Sequence, residues 1–577
     1  MITSISIENF KGVRERIEIP LKPITLLFGP NSAGKSTILH ALHYLREVFE
    51  RNNPNADATI AGGDFVDLGG FRQLSHRHSL LDPVRISVTL TASIADLPQV
   101  AAELPAPSWD IDSDDLLRDI TTVRVELEIA WHNSLAAPFV QMYQVELNGQ
   151  RLLSVVATPD RRDQELRVDM MHPCLQALEH VPELAQTWLG DNDATVARLP
   201  ALTALLVYLQ GQDAIPSSTS AKVDGRPIFS FSFAGGDDAS PCWRSVEPLL
   251  AAVHFVSHEE QRSRARERRA QAIGMTLPPL DDQEQIDEEI DIDAGNLAVE
   301  TLGRLLLGPA MLVRKLLSQQ IYLGPMRERP SRNFEPPKSP DPARWAAGLG
   351  AWDKIFYFNS AKLLEINRWL GDADRLGTGY RLRVRRFVEA DFDEPLVRAL
   401  VEGDYLDLEF GGSSGFDSLQ GLPVRRRISI EPVDREIDLA MSDVGVGLSQ
   451  VIPVVVAAMD ETAPLVMLEQ PELHLHPAMQ VRLTELFIDR AHRGFGPVIL
   501  ETHSEHMILR ILRRIRETSE GELPEGHPGL TPDAVSVIYV ERENGQVKAS
   551  QLRIDKTGEF QDRWPSGFFE ERAEELF

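Results

Sequence analysis

Gly29-Pro30-Asn31-Ser32-Ala33-Gly34-Lys35-Ser36 fits the pattern G-x-x-x-x-G-K-[ST] at every position, and it constrains the fold more than any other stretch. A loop of this composition turns its backbone N–H groups inward around phosphate oxygens. It needs a strand to lead into it and a helix to follow, because a helix N-terminus offers further unsatisfied N–H groups to an anion. Both flanks are predicted. Residues 24–28 (ITLLF) are a short apolar run, read as a buried strand. Ile38, Leu39, Leu42, Leu45 and Phe49 recur at helical spacing, which predicts an amphipathic helix. In that context Gly29, Pro30, Asn31, Ser32, Ala33, Gly34, Lys35, Ser36 and Thr37 are candidate ATP-binding residues. Lys35 is placed to reach the β and γ phosphates, and Ser36 to offer its hydroxyl to Mg²⁺.

A second stretch, VMLEQPELHLHP from Val466 to Pro477, supplies acids. Its apolar start reads as a strand that ends at Glu469. A carboxylate there can hold Mg²⁺, directly or through water, opposite Ser36. The next residue, Gln470, cannot accept a proton, although an amide can orient a water. Glu472 is a carboxylate with two open readings: a base for that water, or a cap on the helix that follows. His474 and His476 by themselves are a weak metal pair, with no third ligand at convincing spacing. His503 ends the strand PVILET and precedes a helix, beside Ser504.

Regular α/β order occupies the two ends of the chain. The start alternates apolar and polar residues (ITSISIE), and strands and helices alternate again from about residue 428. Between them lie strand-rich sequence with an Asn148-Gly149 hairpin turn, predicted helices at 171–210 and 295–320, and an acidic stretch at 280–293. Residues 328–345 are proline-rich and read as an exposed connection. The expected division is 1–95 (N-terminal lobe with the phosphate loop), 96–394 (an inserted interaction or dimerisation region) and 395–577 (C-terminal lobe).

Taken together, these motifs resemble the ABC-type P-loop ATPases of the RecF, SMC and OLD (overcoming lysogenization defect) class. ISIENFKGVRERIEIPLKPITLLFGPNSAGKST is similar to their N-terminal signature, MLEQPELHLHP to their Walker B segment, and ETHSEHMILR to their switch-histidine segment. The ending DKTGEFQDRWPSGFFEERAEEL resembles predicted bacterial ATP-binding proteins of phage-defence loci. The resemblance implies an α/β fold: an ABC-type head formed from both chain ends, with a large mixed α+β insertion. It also implies ATP and Mg²⁺ as ligands, and a homodimer or higher oligomer in which two heads sandwich two ATP molecules. SDVGVGLSQVIPVV stands where the signature motif belongs, so Gly445, Gly447 and Ser449 are expected to contact the γ-phosphate held by a partner; the usual Leu-Ser-Gly-Gly order is absent. His503 is expected to sense the γ-phosphate, with a helix-capping role as the alternative. FVDLGGFRQLSH lies where a Q-loop is expected, around Gln73, and YLGPMRERP carries Arg327 and Arg329 on a turn from which an arginine could reach a phosphate or a partner carboxylate; for both segments an ordinary surface turn is the competing reading.

Charge narrows the partners. With 59 Lys+Arg against 87 Asp+Glu the net charge is −28, which argues against broad coating of nucleic acid or anionic membrane. Three arginine clusters stand against that background, at 261–271, 380–386 and 424–429. The last two share strand-like sequence with apolar residues, so non-specific DNA or RNA contact through one sheet face is an expectation. The two cysteines, Cys174 and Cys242, suggest no disulfide framework. No apolar run approaches the roughly 18 residues of a membrane span. The expected setting is cytoplasmic, and the expected role is an ATPase, slow or gated by a partner. It would act as sensor or scaffold for a separately encoded effector in anti-phage defence; the alternative is a DNA-repair or chromosome-maintenance ATPase that clamps DNA.

Overall fold

A computed structural model describes residues 1–98, 120–157, 163–169, 172, 218–223, 226–234, 303–389, 391, 397, 401, 424–435 and 437–564. The helical reading of 171–210 (His172 excepted), the acidic stretch 280–293, the arginine cluster 261–271 and both cysteines lie outside these residues.

Two sheets face each other. The first has nine antiparallel strands: β1 (Ile2–Glu8), β2 (Ile17–Pro20), β4 (Val84–Thr91), β5 (Thr122–His132), β6 (Ala137–Leu147), β7 (Gln150–Ala157), β8 (Asp163–Asp169), β9 (Ser218–Val223) and β10 (Arg226–Ala234), in the order β2-β1-β4-β5-β6-β7-β8-β10-β9. Asn148 (φ 50°) and Gly149 (φ 77°) make the tight turn between β6 and β7, as their sequence predicts.

The second sheet holds the phosphate loop. Its strands are β3 (Ile24–Phe28), β11 (Ile321–Leu323), β14 (Val466–Glu469), β15 (Val498–Glu501), β16 (Val535–Glu543) and β17 (Gln546–Leu552), in the order β11-β14-β15-β3-β16-β17. All neighbours are parallel except β16 and β17. Thus β3 from the start of the chain lies between β15 and β16 from its end, and the head is built from both. Every residue of β3 is buried, as befits a central strand covered on both faces.

Alternation along these strands feeds two cores. Leu27, Met467, Ile499 and Ile538 face the nine-stranded sheet and the helices α1 (Lys35–Arg51) and α3 (Gly308–Ser318). Leu26, Phe28, Leu468 and Leu500 face the other way. That second core takes in α4 (Leu349–Tyr357), α5 (Ser360–Gly371), α6 (Val446–Ala458), α7 (Pro477–Arg493) and α8 (Glu505–Glu520). Residues 321–371 therefore contribute an edge strand and two helices to the head. A short helix α2 (Phe71–Leu74) and an antiparallel ribbon of β12 (Tyr380–Val388) and β13 (Val424–Pro432) complete the described elements.

One buried cation ties the second core together. Arg490 on α7 donates to the backbone carbonyls of Ala458, Asp460, Ala463, Phe495 and Gly496. These carbonyls belong to the end of α6, the turn after it and the turn after α7, so the guanidinium replaces the water they would otherwise need. Among the described residues no helix is long and apolar enough to cross a membrane.

Candidate nucleotide site

The phosphate loop has the backbone its sequence demands. Gly29 has φ 142°, and a Cβ there would lie 1.9 Å from the carbonyl oxygen of Val540 on β16. Gly34 has φ 106° and begins α1 as its cap; a Cβ would meet Val547 Cγ2 at 2.6 Å. Both positions require glycine, because L side chains are disfavoured at these angles and the neighbours leave no room. Asn31 and Ser32 are exposed on the loop and Ala33 is buried. Lys35 is buried, and its Nζ donates to the carbonyls of Gly29 and Pro30 at 2.9 Å each. Burial lowers its pKa, against the pull of Glu501, Glu469 and Glu472. Thr37 is buried one residue beyond Ser36, in the first turn of α1.

Opposite the loop stand the ends of β14 and β15. Glu469 and Glu501 are register partners in this parallel pair, so their side chains share a face. Ser36 Oγ donates to Glu501 Oε2 at 2.9 Å. Glu469 Oε1 accepts from the Tyr322 hydroxyl at 2.8 Å. Sequence reading set Ser36 against Glu469; the carboxylate bonded to Ser36 is Glu501, with Glu469 beside it. Burial, then the neighbouring Glu501, pushes the Glu469 carboxyl up to about 7. Burial raises Glu501 too.

These groups fit a divalent cation. Magnesium is usually held by one or two carboxylates and phosphate oxygens, with waters filling the remainder. Ser36, Glu469 and Glu501 are hard oxygen donors at one spot. Among the described residues no three His, Cys, Asp or Glu side chains converge into a complete cage, so further oxygens would come from phosphate and water. Glu469, Glu472 and Glu501 all act on the single Lys35. So acidic a site would repel a triphosphate unless a cation entered with it.

The Walker B turn answers part of the question that Gln470 raises. Gln470 is held at φ 44°, with its N–H bonded to Glu501 O at 2.7 Å. Glu472 is buried deeper: Oε1 accepts from the His503 N–H at 2.8 Å, and Oε2 has no hydrogen-bond partner. Burial raises its pKa. Glu472 does not cap α7; the cap is His476, whose ring nitrogen accepts from Ala478 N–H at 3.3 Å. His503 does not cap α8 either. Ser504 does, accepting from Met507 N–H at 3.2 Å. His503 Nε2 is left buried without a partner, and burial, then Lys35, lowers its pKa.

The signature segment divides. Gly445 is the exposed cap residue of α6 and Gly447 is half-buried, where a Cβ would meet His474 O at 2.9 Å. Ser449 is fully buried, and its hydroxyl donates to Val446 O at 2.7 Å. Of the three, only the glycines reach the surface. Gln73 is exposed on α2.

Two residues gain a place that sequence reading did not give them, and a third, Arg327, gains a buried one. Tyr322 and Arg327 come from β11 and the turn after it, and Glu501 from the end of β15. Arg327 is buried, which removes the surface-turn reading, and its Nη2 donates to Glu469 O at 2.7 Å. The acid in ETHS was the available signal for Glu501. Nothing local marked Tyr322 or Gln450, which Arg327 also contacts.

Two family models match the ends of the chain. The AAA ATPase domain family (AAA_15) matches residues 1–78 and 405–508. Residues 530–577 match a family described only as a protein of unknown function, DUF3696. A DNA replication and repair protein RecF from Roseiflexus castenholzii is 44% identical over 45 residues, 8% of this chain and 11% of that protein. The match therefore spans about a tenth of that relative. Among solved structures, an SMC head bound to the C-winged helix domain of ScpA aligns at TM-score 0.35 and 10% identity, over 96% of this chain and 98% of the other. The SMC head domain from Thermotoga maritima aligns at 0.34 and 9%, over 96% and 99%.

Proposed function

We propose, for a chain whose two ends form a RecF/SMC-like ABC-type P-loop ATPase head, that it binds Mg²⁺–ATP in the loop Gly29–Thr37 and hydrolyses it slowly in an ATP-closed dimer. The observation that carries this reading is the meeting of Ser36, Glu469, Glu501 and Glu472 around Lys35 at the strand ends. Backbone N–H groups of the loop hold the phosphates, and Lys35 exchanges its bonds to Gly29 and Pro30 for phosphate oxygens. A bound Mg²⁺, held by Ser36 with Glu469 and Glu501, would neutralise charge on the β and γ oxygens.

Glu472 is the base. Its Oε1 is fixed by His503 N–H, and its free Oε2 keeps an acceptor for a water proton. Gln470 orients that water and His503 Nε2 meets the γ-phosphate. Gly445 and Gly447 present N–H groups to the γ-phosphate on a partner head, and Ser449 braces the helix start from within. With the base set back from the usual position, hydrolysis waits on closure. The dimer then serves as a cytoplasmic sensor or scaffold for a separately encoded effector, in defence against phage, as its ending resembles proteins of such loci.

A second reading, a DNA clamp, has one observation in its favour. On one face of the β12–β13 ribbon lie Arg381, Arg383, Arg385, Arg425 and Arg427. Three of them pair with Glu431, Asp438 and Glu335, which reduces what they can offer to phosphates.

The test is steady-state ATP turnover with Mg²⁺, with Lys35→Ala as blank, alongside light scattering with and without ATP. Turnover and dimer formation that both vanish in the blank are expected. Turnover equal to the blank would overturn the hydrolytic reading, and DNA-stimulated turnover would favour the clamp.

A further inference from the structure

Gln450 stands one turn beyond Gly447 on α6 and is buried. Its side-chain amide grips the main chain of a single residue: Oε1 accepts from Arg327 N–H at 3.1 Å, and Nε2 donates to Arg327 O at 2.7 Å. The Arg327 guanidinium then reaches the Walker B turn, where Nη2 donates to Glu469 O at 2.7 Å and to Gln470 O at 3.5 Å. Glu501 O holds the N–H of Gln470 from the other side. The Glu469–Gln470 peptides are thus suspended between β15 and Arg327, and Gln470 keeps a positive φ, which is uncommon for a non-glycine residue.

We propose that Gln450 and Arg327 form a buried bracket through which the signature helix sets the position of the Walker B turn, and with it Glu472. The bracket rests on the ATPase reading above and supplies its gate. A partner nucleotide pressing on Gly445 and Gly447 moves α6; Gln450 carries Arg327 with it, and Arg327 carries the carbonyls of Glu469 and Gln470. The far end of the same loop is touched directly, because Gly447 abuts His474 O.

Burial of Arg327 supports a role beyond packing. A buried guanidinium carries a desolvation cost, and an apolar side chain of similar size would fill the space without it. Its Nε and Nη1 have no hydrogen-bond partner, which leaves two donors for a group that arrives with the nucleotide or with movement of Glu472. Arg327 and Gln450 are positioning residues: they act through the turn and need not touch ATP.

The experiment compares the full chain with Gln450→Met, Arg327→Met and the double variant. Hydrogen exchange without nucleotide is measured over 324–328, 446–452 and 466–476. Turnover and affinity for a fluorescent ATP analogue are measured in parallel. The bracket predicts faster exchange at 466–476 in Gln450→Met, although the Gln450 side chain makes its hydrogen bonds to Arg327 and not to that segment. It predicts turnover lower by about tenfold or more with ATP affinity within about threefold, and a double variant no worse than Arg327→Met alone. Exchange that rises only at 324–328 and 446–452, or additive losses in the double variant, would overturn it. If the wild-type chain turns over no faster than Lys35→Ala, the ATPase reading fails, and exchange at 466–476 still decides the bracket.

Discussion

Ser36 and Glu501 lie 465 positions apart in sequence and 2.9 Å apart in space, the serine hydroxyl donating to the carboxylate. The bond joins the first helix of the chain to a strand near its end, and it places a second carboxylate beside Glu469. Glu501→Gln keeps the shape and the acceptor and removes the charge. The Mg²⁺ concentration that half-saturates ATP binding should rise about tenfold, equivalent to about 1.4 kcal/mol of cation affinity. A magnesium titration of fluorescent-nucleotide binding checks this; an unchanged midpoint assigns the cation to Glu469 alone.

Glu472 and Gln470 separate by kinetics. Glu472→Gln should lower turnover by about 100-fold or more while ATP affinity holds, as removal of a general base does. Gln470→Ala should cost about tenfold, the loss of a water-orienting group. The reverse ranking would move the water-handling role to Gln470.

Glu469 gives the head a pH dependence. The folded protein keeps a proton on this carboxyl up to about pH 7, whereas an ordinary glutamate releases it near 4.5. Between those values the folded state binds more protons than the unfolded chain. The group's contribution to stability is therefore complete below about 4.5 and is lost as pH rises through 7. Without nucleotide, Glu469→Gln should melt increasingly above wild type as pH goes from 5 to 8. Scanning calorimetry at the two pH values reads the difference, and a constant gap would place the burden on another group.

Arg490→Met should destabilise the head by about 3–5 kcal/mol, because it leaves several buried carbonyls without donors. Denaturant titration measures this, and nucleotide affinity should change little under native conditions. A loss below about 1 kcal/mol would mean that water replaces the guanidinium.

Local sequence carried much of the site. The phosphate loop was legible because its motif is contiguous: two glycines of positive φ, a lysine and a serine stand within Gly29–Ser36, where a helix begins. The ends of β14 and β15 were legible because buried parallel strands leave continuous apolar runs that stop at a polar residue. Glu472 and His503 were singled out, but their alternatives stayed open, since caps depend on which residue holds the right dihedrals at a helix start; His476 and Ser504 hold them. Ser449 read as a ligand-facing serine and is turned inward instead. Spacing along a helix start fixes which residues come first, but the packing of α6 decides which of them reach water.

By itself the sequence determined most elements at the two chain ends, the glycine-rich loop between β3 and α1, and the acid at the end of β14. It could do so because each follows from neighbours within a few residues. Tertiary structure alone decided that Glu501, not Glu469, bonds Ser36, that Tyr322 and Arg327 enter from an edge strand far along the chain, and that Gln450 grips Arg327. Those contacts depend on strand order and on burial, and neither leaves a periodic mark in the residues that make them.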